Sequence, residues 1–115
     1  MEVCRGSANP VPGLWQKAQE IAPFDDRHAV VIEQNSGDDS VERIQRAIDQ
    51  HGWSGWITFV RSPSNLGFAG GNNLGMRTIE ARGYMLFNSD AQATPGCIGE
   101  MLDALDAHPK VGAVG

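Results

Sequence analysis

Two cysteines, three histidines and nine lysine or arginine residues are few for a chain of 115 residues, and each scarcity excludes a class of protein. Cys4 and Cys97 are far apart, with neither metal-type spacing nor a disulfide framework, and read as two unrelated thiols. No two histidines stand at ligand spacing, so a histidine metal site is set aside; His51, near the end of a helical pattern, reads as a surface residue that complements the helix dipole. The basic residues form no cluster and the formal net charge is −5, which gives no electrostatic footprint for a nucleic-acid duplex. A nucleotide held by backbone amides and a metal ion stays open. No apolar run approaches the ~20 residues of a membrane span, and the first residues lack the basic and apolar regions of a signal peptide. A cytoplasmic protein is therefore expected. At 41% hydrophobic and 20% charged, the chain suits one soluble domain with a single small core.

Glycine, by contrast, is plentiful, and its placement organises the chain. Within NLGFAGGNNLG (residues 65–75), Gly67, Gly70, Gly71 and Gly75 remove side chains where backbone amides could approach a ligand, as phosphate binding at a helix start requires. The spacing excludes two familiar alternatives. No placement of these glycines satisfies GxGxxG, and the GxxxxG of residues 70–75 is followed by Met76 and Arg77 where a P-loop needs Lys and Ser/Thr. A plain turn, with glycine at positive φ and asparagine capping a short helix, remains the competing reading. Downstream, YMLFN (residues 84–88) reads as a strand that breaks off into Ser89 and Asp90. Ligands of open α/β sheets sit at the carboxyl ends of strands, so Asp90 falls where a carboxylate could hold a divalent cation against a diphosphate. An isolated acid there is also a common turn former or helix cap.

The remaining elements follow from periodicity. Residues 1–12, with Gly6, Pro10 and Pro12 and no strand-length apolar run, are expected to be irregular. Residues 13–22 place Leu14, Ala18, Ile21 and Ala22 on one helical face, and Pro23 closes it. HAVVIE (residues 28–33) has the continuous β-branched pattern of a strand buried on both faces. The polar turn QNSGDDS leads to a helix with Val41, Ile44, Ala47 and Ile48 inward, where Asp39 and Glu42 could form a capping box and acids suit the helix dipole whatever the protein does. His51 and Gly52 end it. Trp53 and Trp56 read as packing residues leading into the strand ITFV (residues 57–60), and Arg61 reads equally as a phosphate contact or a solvated cation. Thr94 and Pro95 open a last helix with Ile98, Met101, Leu102 and Leu105 on its core stripe, and Val111 starts a further strand. Strands are thus expected near 28–34, 56–60, 84–88 and 110–114.

NLGFAGGNNLG, followed by YMLFNSDAQATPGCIGEMLDALDAHPKVGAVG, resembles the nucleotide-binding half of family 2 glycosyltransferases, especially their rhamnosyltransferase-like branch. VVIEQNSGDDSVERI is similar, without a gap, to that family's strand, Asp-Asn-x-Ser-x-Asp-x-Ser turn and helix, so the likeness covers roughly residues 29–115. Three motifs in order make it specific. The resemblance implies a GT-A fold, an α/β/α three-layer sandwich with a mostly parallel sheet. It also implies a nucleotide-diphosphate sugar donor of the dTDP or UDP type, Mg or Mn as cofactor, and inverting transfer to a glycan or other hydroxyl acceptor in polysaccharide biosynthesis. By the same likeness Glu33, at the family's usual aspartate position, Ser36 and Asp38 recognise the base or ribose. Asn65, Gly70, Gly71 and Asn73 contact the donor, Asn88 replaces the first acid of an Asp-x-Asp motif and meets the ribose, and Asp90 binds the metal. Glu33 keeps the usual charge with one more methylene; Asn88 can hydrogen-bond a hydroxyl but carries no charge.

Family members begin with a central strand, and none is evident in residues 1–12: either these residues improvise one or the sheet has lost an inner member. The expectation is an irregular segment at 1–12 and a partial GT-A domain at 13–115, truncated, with exposed inner faces that favour self-association. The family's general base lies downstream of Asp90. The isolated chain is accordingly expected to bind nucleotide weakly without useful transfer, in the cytoplasm or at the inner membrane surface. The alternative is a non-catalytic, truncated nucleotide-binding or interaction remnant.

Overall fold

The computed structural model describes residues 2–5 and 27–115. Its organising element is β2 (Ala29–Glu33), the AVVIE run, buried at all five positions. Val30 and Ile32 are the largest fully buried side chains, each contributing about 1.5–3 kcal/mol by leaving water. A strand buried on both faces must have neighbours on both edges and layers on both sides. β1 (Glu2–Arg5) pairs with one edge of β2, and β3 (Ile57–Arg61) pairs with the other.

β1 corrects the expectation of a wholly irregular stretch over residues 1–12 and decides between the two alternatives, since the first residues do supply an inner strand. Glu2–Arg5 lies in the middle of the sheet, parallel to β2 on one side and to β4 (Leu86–Asn88) on the other. Four residues with a single β-branched side chain carry no periodicity to read. Their strand state comes from ladder bonds on both edges, a tertiary effect that outweighs local propensity. The helix expected over residues 13–22 lies outside the described residues, as do residues 6–12.

After β2, α1 (Ser40–His51) turns Ile44 and Ile48 inward and stops at Gly52, whose φ of 65° lets its N–H reach the carbonyls of Asp49 and Ile48. A single 3-10 turn, Trp53–Gly55, leads to β3. Ala29, Val31, Ile44, Ile48, Trp53 and Ile57 form the core between α1 and the sheet, so Trp53 packs as expected, with Trp56 and Phe59 against the cluster. The anticipated Asp39–Glu42 capping box does not form. Asp39 is the N-cap residue but makes no side-chain cap bond, and its carboxylate lies 3.8 Å from Arg43 in an exposed pair of little energetic weight.

The glycine-rich stretch is a helix. Residues Gly67–Thr78 form α2, which packs on β1 and β2 with Gly71, Asn72 and Gly75 buried. Two further expectations shift. α3 (Cys97–Ala107) begins after Gly96, at φ 84°, while Thr94 offers its carbonyl to the N–H of Cys97 (3.2 Å) and so is not the cap. No strand forms over residues 110–114: the N–H of Val111 turns back to the carbonyl of His108 (2.9 Å), and Gly112, a poor strand former, follows.

Among the described residues the sheet order is β3-β2-β1-β4, all parallel. The chain steps outward from β1 to β3, then returns to the far side of β1 for β4. Right-handed crossovers in opposite directions put α1 and α2 on opposite faces, so the sheet lies between helical layers. All four carboxyl ends share one edge, and the order reverses at β1 and β4, where α/β sheets of this kind open a ligand crevice.

Candidate functional site

β2 delivers Glu33 to the carboxyl edge with only 5% of its surface exposed. A carboxylate so covered needs hydrogen-bond donors. The following turn supplies them: Asn35 at φ 57° and Gly37 at φ 74° fold the chain back. The N–H and the hydroxyl of Ser36 each lie 2.6 Å from Glu33 Oε1. Asn is among the few non-glycine residues that tolerate such a conformation. Ser36 Oγ is also 2.9 Å from Asp38 Oδ1, which in turn accepts the N–H of Ser40 at 2.9 Å and so anchors the start of α1. Glu33, Ser36 and Asp38, singled out from the sequence, are thus one connected cluster.

The glycine-rich segment meets that cluster differently from the expectation. Asn65 Oδ1 accepts the N–H of Gly67 (2.9 Å), and the N–H of Leu66 reaches Gln34 Oε1 (3.0 Å). With α2 starting at Gly67, the amides outside its own ladder are those of Leu66, Gly67, Phe68 and Ala69. Gly70 and Gly71 lie past that first turn, so their backbone N–H groups serve the helix and are not the donors anticipated for a diphosphate. Their missing side chains serve packing instead. A Cβ on Gly70 would stand 2.7 Å from Leu66 Cβ, and one on Gly71 2.5 Å from Gln34 Nε2. Asn73 is exposed and stands about 9 Å along the helix from Gly67, apart from the turn residues. Gln34, buried at 5% exposure, was missed in the sequence; a long polar side chain directly after a fully buried strand was the available signal.

β4 brings Asn88 and Asp90 to the same edge. Cys4 pairs with Asn88 across one side of β1, and Arg5 with Glu33 across the other. At ~4.8 Å per strand, the backbones of Glu33 and Asn88 lie roughly 10 Å apart with only β1 between them. The carbonyl of Asn88 accepts the N–H of Ala91 (3.1 Å), closing a turn that presents Asp90 to solvent. Arg61, level with Glu33 on β3, adds an exposed cation to this edge.

Among the described residues no three His, Cys, Asp or Glu side chains converge on a common point, so a caged metal of the structural-zinc kind has no donor set here. A single exposed carboxylate does suit Mg, which keeps several waters and takes one or two carboxylates together with substrate phosphates. Asp90 is the residue that would hold it. Cys97 is a free, half-buried thiol.

A parallel sheet reversing at β1 and β4, with an acidic turn after β2 and an exposed acid after β4, defines an open-sheet α/β protein with both turns on its carboxyl edge. The sequence profile of glycosyl transferase family 2 matches residues 6–115. The chain belongs to that family, and its fold is GT-A. No curated protein gives a significant match.

Proposed function

We propose that the protein binds a nucleoside-diphosphate sugar of the dTDP or UDP type along the carboxyl edge and takes part in transferring its sugar, with inversion, to a hydroxyl of a glycan acceptor. The rhamnosyltransferase-like branch, polysaccharide biosynthesis and a cytoplasmic or inner-membrane-surface setting belong to the same reading. The observation that carries it is the placement, on one edge and on either side of β1, of the Glu33–Ser36–Asp38 turn and the Asn88–Asp90 turn. The acidic turn offers carboxylate acceptors to N–H groups of a base or to ribose hydroxyls, and the Asn88 side chain offers a further partner to the ribose. The start of α2 directs the positive end of its dipole to the side where the diphosphate would lie. Mg or Mn, when held by Asp90, would neutralise charge on the departing nucleoside diphosphate.

Calorimetric titration of UDP, dTDP and GDP with and without Mn tests this reading. Mn is expected to tighten binding of UDP or dTDP at least about tenfold, or ~1.4 kcal/mol, and Asp90→Ala to abolish that gain while leaving the metal-free affinity. A wild-type protein indifferent to Mn, or an Asp90→Ala variant that keeps the gain, overturns it.

A further inference from the structure

We infer that Gln34 is a positioning residue for the diphosphate end of the donor, seating the start of α2 against the end of β2, and that Gly71 is glycine because this seat fills the space its Cβ would need. The inference rests on the nucleotide-sugar reading of the carboxyl edge. Gln34 follows Glu33 directly and is equally buried, and its Oε1 takes the N–H of Leu66, the N-cap residue of α2, from 32 residues away in sequence. Apolar burial does not hold that end of the helix, since Leu66 is 46% and Phe68 62% exposed. Ser62 fixes the loop before it, through its N–H to the Glu33 carbonyl (2.8 Å) and its hydroxyl to the Ser64 carbonyl (2.6 Å). Gln34 adds a side-chain hydrogen bond between the helix start and the end of β2, beside the packing of α2 on β1 and β2. One residue thus links the acid of the base-side cluster to the helix start that faces the phosphates.

Gly71 completes the seat from below. A Cβ there would lie 2.5 Å from Gln34 Nε2, 2.8 Å from Cδ and 3.0 Å from Oε1. Contacts that close force the amide aside, and with it the bond to Leu66. Substituting Gly71 and substituting Gln34 therefore damage the same object, and their effects are not independent.

The test compares Gln34→Met, Gln34→Ala, Gly71→Ala and the double variant Gln34→Ala/Gly71→Ala in titrations with UDP and dTDP in the presence of Mn. Amide hydrogen exchange at Leu66 and the circular dichroism spectrum are followed in parallel. Gln34→Met keeps length and volume but loses the acceptor, and is the variant to rely on should Gly71→Ala not fold. Gln34→Met and Gly71→Ala are each expected to weaken nucleotide binding about tenfold and to unprotect the Leu66 amide with helix content unchanged. The double variant is expected to bind no more weakly than Gln34→Ala alone, because alanine at position 34 removes the group the new Cβ would strike. Losses that multiply in the double variant overturn the shared seat. Lower thermal stability with unchanged affinity reduces Gln34 to a structural residue and overturns the positioning role. A wild-type protein that binds neither nucleotide sinks the donor reading and this inference with it, whereas wild-type binding that Gln34→Met leaves untouched sinks this inference alone.

Discussion

Ser36 has one hydroxyl proton, and carboxylate oxygens of two residues lie within its reach, Glu33 at 2.6 Å and Asp38 at 2.9 Å. The proton serves one of them at a time. Each carboxylate also accepts a backbone N–H, Glu33 from Ser36 and Asp38 from Ser40, so the turn's own donors fix its shape. At the other end of the same strand, His28 meets the Thr58 hydroxyl (2.8 Å), and burial holds its pKa below 6.5. The folded protein keeps this imidazole neutral, while the unfolded chain takes up a proton near the ordinary value. The unfolded state thus binds more protons as pH falls, and the stability His28 contributes is fully present above about 6.5 and lost as pH drops through that value towards the folded pKa. Urea denaturation at a series of pH values across that window should show wild-type stability declining with acidity and a shallower decline for His28→Gln. Equal slopes for the two proteins would show that the imidazole stays as easily protonated when folded. Because His28 lies at the amino edge, away from the acidic turn, nucleotide affinity at neutral pH should be the same in both.

At the scale of elements, α1 ends where Gly52 enters the left-handed region at φ 65°. No atom lies within 4 Å of a Cβ built there, so Gly52→Ala tests the backbone alone. It is expected to cost about 1 kcal/mol, read as a lower urea midpoint at constant slope; an unchanged midpoint would mean the helix does not end in this conformation. The stop was legible because Gly52 follows an apolar pattern of helical period, and β2 and β3 were legible as apolar, largely β-branched runs of strand length, although of the two only β2 is buried at every position. α2 was not legible. Four glycines in a short stretch argue for a loop by propensity, yet here Gly71 and Gly75 are buried, and a Cβ on Gly71 would meet the Gln34 side chain. The cost of glycine in the helix is set against close packing that sequence alone does not display. The acidic turn was legible through its residue types and their spacing, whereas the Gln34–Leu66 tie, formed across 32 residues, exists only once the fold brings its partners together.

At the scale of the molecule, packing is uneven across the sheet. The core cluster gathers β2, α1 and β3, whereas α3 has no fully buried residue and Leu86 on β4 is 47% exposed. β1 joins the two parts, and its presence removes the reason given for self-association, a missing inner strand; among the described residues, β3 and β4 are the outer strands. Every backbone N–H within a strand flanked on both sides is bonded to one neighbour or the other. Val3→Pro removes one such bond from the middle of β1, where proline is not accommodated. Its effect should exceed a local loss, since among the described residues β1 is the strand that holds the Asn88–Asp90 turn in register with Glu33. Hydrogen exchange should show β4 unprotected in Val3→Pro while α1 and β2 keep more of their protection, and the Mn-dependent gain in nucleotide affinity should vanish although Asp90 is intact. If Val3→Pro instead melts and binds like the wild type, β1 is not the element that couples the two halves of the site, and the register across it has no bearing on how a nucleotide would be held.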